Sequence, residues 1–288
     1  MQYKIAGIPI EINGIEYDYF TYRLKEYESA EERSEIVINY GEEEIISSPE
    51  GEIVGKDSFR YFLKDNGRYI TYDTLEKPRM NTALTDASAD WSEIYCRLSD
   101  VEELGGASLS IRSFNLIGEM FKYALTVKDG LVIHSSAISY ENGGVLFSAP
   151  SGTGKSTHTG LWKKVYGEKV KIVNDDMPAI RFFDGEWKLC GTPWSGKTGI
   201  NANECVPLKG IVFLERGEKN EIIPVSPQEA VFRIMNQTLL PLYKDVMNGV
   251  LENIGRLAST VPAYRLKCNI SDEAAITVKE QIFNENQG

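Results

Sequence analysis

The alternation of apolar and polar positions separates a strand-rich first third of the chain from a mixed remainder. Ile5–Ile12 alternates with period two and breaks at Asn13-Gly14, and Glu35–Tyr40 repeats the pattern. Phe59–Leu63 and Tyr69–Tyr72 flank Asp65-Asn66-Gly67, a composition that favours a tight hairpin turn. Residues 76–92, with Pro78, Asn81, Asp86 and Ser88, read as a loop or linker. The period then changes. Over Ser113–Val127, Phe114, Ile117, Phe121, Ala124 and Leu125 fall on one helical face, and Gly130 stands at the stop position. This helix is expected to pack on the sheet of the second region.

Leu131–Ser139 reads as one strand, turning at Tyr140-Glu141-Asn142-Gly143 into the short apolar run Val145–Phe147. Beyond a Gly/Ser-rich turn a helix begins at Lys155, and Val170–Val173 is a buried strand ending in Asn174-Asp175-Asp176. Ala179–Phe183 and Trp187–Cys190 flank the hairpin signal Asp184-Gly185, and Gly191–Gly199 is a loop. A strand over Gly210–Leu214 precedes Ser226-Pro227-Gln228-Glu229, a capping box with proline at the first helical position. A helix after Pro241, a strand over Val261–Leu266 and a last helix capped by Ser271 complete the pattern. The expected organisation is a β-rich region over 1–105, suited to recognising an acceptor, and an α/β (α+β) domain of mixed sheet and helices over 106–288.

The strand–turn–helix centred on Ser151-Gly152-Thr153-Gly154-Lys155-Ser156-Thr157 has the order of a phosphate-binding loop, the Walker A or P-loop. In such a loop backbone N–H groups surround the phosphates and the helix N-terminus adds its dipole. Lys155 then places a charge between the β- and γ-phosphates, and Ser156 supplies a hydroxyl ligand for magnesium. Ala149 stands where the full motif begins with glycine, and its methyl group is expected to shift the approach of the loop to the phosphates.

Asp175-Asp176, about twenty residues on, ends a neighbouring strand. Of Asp175 and Asp176, one carboxylate can hold a metal, directly or through water, and the other can accept the proton of an attacking hydroxyl. His134 precedes the loop strand, and Lys197 in its Gly-rich loop can reach a transferring phosphoryl group. His158, one turn into the loop helix, reads as structural.

Composition narrows the classes. A net charge of −11 lacks the basic footprint of a general nucleic-acid binder. No apolar run reaches the ~18–20 residues of a membrane span, and the N-terminus has no secretory h-region, so the expected compartment is the cytoplasm. Cys96, Cys190, Cys205 and Cys268 lie far apart, with only two histidines in the chain, so neither a zinc site nor a disulfide is expected. Oligomeric state is not legible.

Two families share the combination. His134-Ser135-Ser136-Ala137, the Gly143-Gly144 turn and Ser151-Gly152-Thr153-Gly154-Lys155-Ser156-Thr157 resemble the core of ATP-dependent phosphoenolpyruvate carboxykinase. The Ser195-Gly196-Lys197-Thr198 segment resembles a later Ala-Lys-Thr of that enzyme. HPr kinase/phosphatase is similar in placing a histidine before its loop and an aspartate pair after it. The resemblance covers roughly residues 130–200. It implies a carboxykinase-like nucleotide-binding core that uses ATP or another NTP with Mg2+. It also implies that Asp176 is the general base, Ser156 a magnesium ligand, and His134 and Lys155 active-site residues. The expected activity is phosphoryl transfer to a Ser or Thr hydroxyl of a peptide or protein. Competing readings are a small-molecule kinase or carboxykinase-like enzyme, and a nucleotide-binding regulatory module without catalysis.

Overall fold

The structure is a computed structural model that describes residues 1–31, 33–76 and 79–284. It forms two compact units, one of residues 1–128 with 240–249, the other of residues 129–239 with 250–288.

In the first unit, β1 (Gln2–Ile5) and β2 (Ile8–Asn13) are two strands rather than one, because Ala6 and Gly7 turn the chain with positive φ. They are followed by α1 (Asp18–Leu24), β3 (Ile36–Glu43), β4 (Glu52–Asp57), β5 (Arg60–Asp65), β6 (Arg68–Glu76), β7 (Arg79–Ala87) and β8 (Glu93–Ser99). The eight-stranded order is β1-β2-β3-β8-β7-β6-β5-β4. Asn66 (φ 46°) and Gly67 (φ 82°) make the expected hairpin between β5 and β6, with left-handed backbone at both central positions. Much of the segment read as a loop is β7. Its alternation of small and polar residues gives little apolar signal, and Pro78 lies outside the described residues. A short pair, β9 (Glu103–Leu104) and β10 (Ala107–Ser108), leads into α2 (Leu109–Thr126). The apolar face of α2 is the one expected, but it packs on β8 and α1 of this first unit.

The second unit starts with β11 (Gly130–Val132), β12 (Ser135–Tyr140) and β13 (Gly143–Ser148). Helix α3 (Lys155–Tyr166) follows, then β14 (Val170–Asn174), β15 (Ala179–Phe183), β16 (Glu186–Cys190) and β17 (Cys205–Arg216). The chain ends with β18 (Glu221–Pro224), α4 (Pro227–Met235), α5 (Lys244–Thr260), β19 (Ala263–Cys268) and α6 (Asp272–Phe283); the first residues of α5 count with the first unit. The sheet runs β11-β15-β16-β17-β13-β12-β14, with β19 beside β17 and β18 beside β19. β13 is parallel to β17 and β17 to β19; the other pairings are antiparallel. The result is an α+β architecture with mixed sheets. Trp162 of α3 and Val278 and Ile282 of α6 close one core with Ile138, Phe147, Val212 and Leu266 of the strands. Ser226 caps α4 by accepting the Glu229 N–H, as expected, at 3.2 Å.

Two departures from expectation bear on the functional site. The strand expected over Leu131–Ser139 is interrupted at Ile133-His134, whose backbone N–H groups turn to Pro178 and Gln237. Cys190 and Cys205 form a disulfide, against the expectation of none. Fifteen residues separate them in sequence, but β16 and β17 are antiparallel neighbours that place them opposite each other. Cys96 and Cys268 are free.

Candidate functional site

β13 runs to Ser148, the chain turns through Ala149–Gly154, and α3 begins at Lys155. Gly154 enters the helix with φ 111°, backbone that a side chain strains against. Ala149 is 5% exposed and belongs to the core cluster with Phe147, Trp162 and Leu214. Its methyl is therefore packed into the core at the end of the strand rather than projecting into the turn. Ser151, Gly152, Ser156 and Thr157 are exposed, and Thr153 and Gly154 half-buried. The turn thus offers its surface to solvent at a helix N-terminus, the arrangement that attracts anions.

Lys155 is only 8% exposed, and its ammonium donates to the Ala149 carbonyl at 2.9 Å. Burial lowers its pKa, while the carboxylates of Asp176 and Asp175 pull it the other way. An ammonium has three donors, so the Ala149 contact leaves two.

The carboxylates come from the end of β14. Asp175 is 9% exposed and accepts the Ser136 hydroxyl at 2.7 Å; Ser136 in turn lies 3.0 Å from the Thr159 hydroxyl of α3. Asp176 Oδ1 is 3.3 Å from His134 Nε2, and the Asp176 carbonyl accepts the Ser135 N–H. The interruption between β11 and β12 is what frees His134 for this contact. Lys155, Asp175, Asp176 and His134 are therefore brought together. Ser156 sits on the first turn of α3. Lys197 is exposed, one residue after Gly196, whose added Cβ would stand 3.0 Å from both Cβ and Cγ of Asp176. Gly196 also has φ 61°, so this loop passes Asp176 by a route that favours glycine.

His158 is structural, as read from the sequence. It is 3% exposed, its Nε2 accepts the Trp162 indole N–H at 3.3 Å, and its ring lies 4.6 Å from that of Phe147. Burial pushes its pKa down to about 4.

Four residues received no role in the sequence reading. Asn174 is fully buried, and its Oδ1 accepts the N–H groups of Asp176 and Met177 at 2.8 and 2.7 Å. Its Nδ2 donates to the Thr192 carbonyl at 2.9 Å. One amide thus ties the aspartate turn to the 191–204 loop. Ser136 and Thr159 order Asp175. Arg216, at the end of β17, donates to the Gly152 carbonyl at 2.9 Å. It lies 64 residues away in sequence, and the parallel pairing of β13 with β17 supplies the proximity. Asn174 carried a signal in its place in the Asn-Asp-Asp run, and Ser136 in the His134-Ser135-Ser136-Ala137 run. Beside the turn lies a cavity of about 430 Å3, lined by Gly152, Thr157, Leu161, Leu214, Cys268 and Ile270.

Among the described residues no cluster of three or more His, Cys, Asp or Glu side chains could hold a metal, and no helix is long and apolar enough to cross a membrane. Asp175 and Ser156 are hard oxygen donors. They suit a magnesium ion that takes one or two carboxylates and completes its shell with phosphate and water.

The fold and site together define an α+β protein with a lysine–carboxylate cluster at a glycine-rich strand–helix turn. The chain belongs to the family described as SynChlorMet cassette protein ScmC, whose model matches residues 94–284. No curated protein matches it. Among solved structures it is similar to the Hpr(Ser) kinase/phosphatase from Coxiella burnetii at 10% identity and a TM-score of 0.34, covering 54% of this chain and 90% of that one.

Proposed function

We propose that this chain is an NTP-dependent phosphotransferase, a kinase that moves the γ-phosphoryl group of ATP to a Ser or Thr hydroxyl of a peptide or protein. The observation that carries the reading is the convergence of Lys155, Asp175, Asp176 and His134 on the turn before α3. A plain anion site needs the lysine and the helix N-terminus; it has no use for a carboxylate pair beside them, which repels the anion unless a cation or a proton transfer intervenes.

In this reading the turn amides of Ser151–Thr157 receive the β- and γ-phosphates, and Lys155 supplies its two remaining donors to them. Arg216 at Gly152 adds a second positive charge. Asp175, ordered by Ser136, and Ser156 are the side chains that would hold Mg2+, which neutralises phosphate charge when bound. Asp176 takes the proton of the acceptor hydroxyl as that oxygen bonds to the γ-phosphorus and the bond to the bridging oxygen breaks, leaving ADP. His134 holds the Asp176 carboxylate, and Lys197 reaches the transferring group from its exposed loop. The 430 Å3 cavity is within the ordinary ~300–1,000 Å3 of small-molecule pockets, and its mixed lining offers Leu161, Leu214 and Ile270 to a nucleoside beside the polar Arg216 and Asn269.

Calorimetric titration of Mg·ATP into the full chain tests the first half. Saturable binding that Lys155→Ala weakens at least tenfold is expected. Binding that ignores this substitution would remove the phosphates from the turn. For the second half, alkylation of Cys268 in the cavity wall should slow when Mg·ATP is present; an unchanged rate would place the nucleoside elsewhere.

A further inference from the structure

The 191–204 loop and the aspartate turn are joined by hydrogen bonds on both limbs of the loop. On the outgoing limb the Asn174 amide donates to the Thr192 carbonyl at 2.9 Å. On the returning limb the Ile200 carbonyl accepts the Asp175 N–H at 3.2 Å, and the Ala202 N–H donates to the Val173 carbonyl at 3.0 Å. Between the limbs Gly196 passes Asp176 with φ 61°. The loop therefore braces the segment that carries both carboxylates, although its own tip, residues 196–200, is exposed.

The base of the loop is closed by little besides its disulfide. β16 and β17 meet through three register pairs, Lys188 with Pro207, Leu189 with Val206 and Cys190 with Cys205. Pro207 has no N–H to give to that short ladder. Across the mouth the Gly191 N–H donates to the Glu204 carbonyl at 3.0 Å. The bridge forms the last of the three pairs, so it ties the ladder at the end where the loop begins. Cys190 is fully buried and Cys205 half-buried, so an incoming thiolate meets Cys205.

We propose that the Cys190–Cys205 bridge is a redox switch on the aspartate turn, operated by a dithiol reductant. A thiolate of the dithiol attacks Sγ of Cys205, and Sγ of Cys190 leaves as a thiolate. The second sulfur of the dithiol then displaces Cys205 from the mixed disulfide. The reductant gives up two electrons and ends as a disulfide, and its two protons pass through solvent to the two cysteine sulfurs. With the bridge open the returning limb separates, and Asp175 and Asp176 lose their brace. The turn before α3 and the Ser136 hydroxyl lie outside these bonds, so nucleotide binding persists while transfer falls. The effect on transfer rests on the kinase reading; the opening of the loop does not.

Hydrogen exchange on the folded full chain, in reduced and in oxidised dithiothreitol, reads the opening without turnover. Alkylation in the reducing buffer should label Cys190 and Cys205 without denaturant. The amides of Asp175, Gly191 and Ala202 should then gain at least tenfold more in exchange rate than the core amides of Phe147 and Val212. The double variant Cys190→Ala/Cys205→Ala should exchange like reduced wild type in both buffers. A bridge that is reduced only in denaturant, or equal acceleration of loop and core amides, would overturn the proposal, because the bridge would then serve overall stability alone. Transfer of label from γ-labelled ATP to a serine-containing peptide library is scored separately. Reduction should lower it at least tenfold, reversibly, with Mg·ATP affinity within twofold. Loop opening without transfer by either form would keep the loop device and overturn the kinase reading. Equal transfer by both forms would keep the kinase and overturn the switch.

Discussion

Lys155 holds its position through one contact, to the carbonyl at the start of its own turn, while two carboxylates lie close enough to shift its titration. An ammonium so placed neutralises charge without reorganising when a phosphate arrives, and the benefit is greatest in a water-poor site. Lys155→Ala should therefore cost on the order of 10²–10⁴ in transfer rate, read by steady-state kinetics with a saturating acceptor. His158 makes a different prediction. Its folded pKa of about 4 lies below the ordinary 6.5, so between these values the unfolded chain binds the extra proton. Stability contributed above pH 6.5 is thus lost as the pH falls through that window, about 3 kcal/mol in all. Urea denaturation from pH 7 to pH 4 should show a smaller decline for His158→Phe than for wild type. Equal slopes would mean that the imidazole is protonated without cost in the fold.

At the scale of elements, the site depends on a strand that breaks and a loop that is stapled. His134 can meet Asp176 because β11 ends at Val132 and β12 starts at Ser135. The sequence shows only a continuous apolar run there, since a backbone that leaves one sheet partner for Gln237 has no local signature. The strand–turn–helix that carries Lys155, the aspartate pair at the end of β14 and three tight hairpins were legible because each is encoded by adjacent residues. Arg216, the clamp made by Asn174 and the Cys190–Cys205 bridge were not, because each joins residues that only strand pairing brings together. The misplaced packing of α2 has the same origin: periodicity reports an apolar face, not the partner that covers it.

The 191–204 loop is closed at its base by that disulfide and carries Gly196 past Asp176. For a 15-residue separation the bridge stabilises by about 3 kcal/mol, so Cys205→Ser should lower the unfolding free energy by that amount. Equal midpoints under oxidising and reducing conditions would show that the bridge contributes nothing. Gly196→Ala introduces both a strained φ and a Cβ against Asp176. It should lower transfer at least tenfold while leaving Mg·ATP binding within twofold, since the phosphate turn is untouched.

On the scale of the whole molecule, the chain leaves the first unit after Lys128 and supplies Leu240–Gly249 to it much later. The returning segment brings Tyr243, fully buried against the rings of Phe62, Tyr69 and Trp91. A fragment ending at Lys128 therefore lacks part of its own core. It should give an expanded, poorly dispersed NMR spectrum, and Tyr243→Ala in the full chain should cost about 3–5 kcal/mol. A well-dispersed, cooperatively folding fragment 1–128 would show that the returning segment is dispensable. In the same unit Arg60 is held by Asp73 and Glu119, with side chains 11% and 20% exposed. Arg60→Ala leaves both carboxylates without their partner and should destabilise by about 3–5 kcal/mol.

In the proposed phosphoryl transfer the turn, the lysine and the carboxylate pair act together. The direct test is a single-turnover assay with γ-labelled ATP, Mg2+ and a serine-containing peptide library, comparing wild type with Asp176→Asn. Wild type should place label on serine hydroxyls, and Asp176→Asn should lose on the order of 10²–10⁴ of that transfer at unchanged ATP affinity. Tight ATP binding by the wild type with no label on any hydroxyl, or equal labelling by the two proteins, would contradict it.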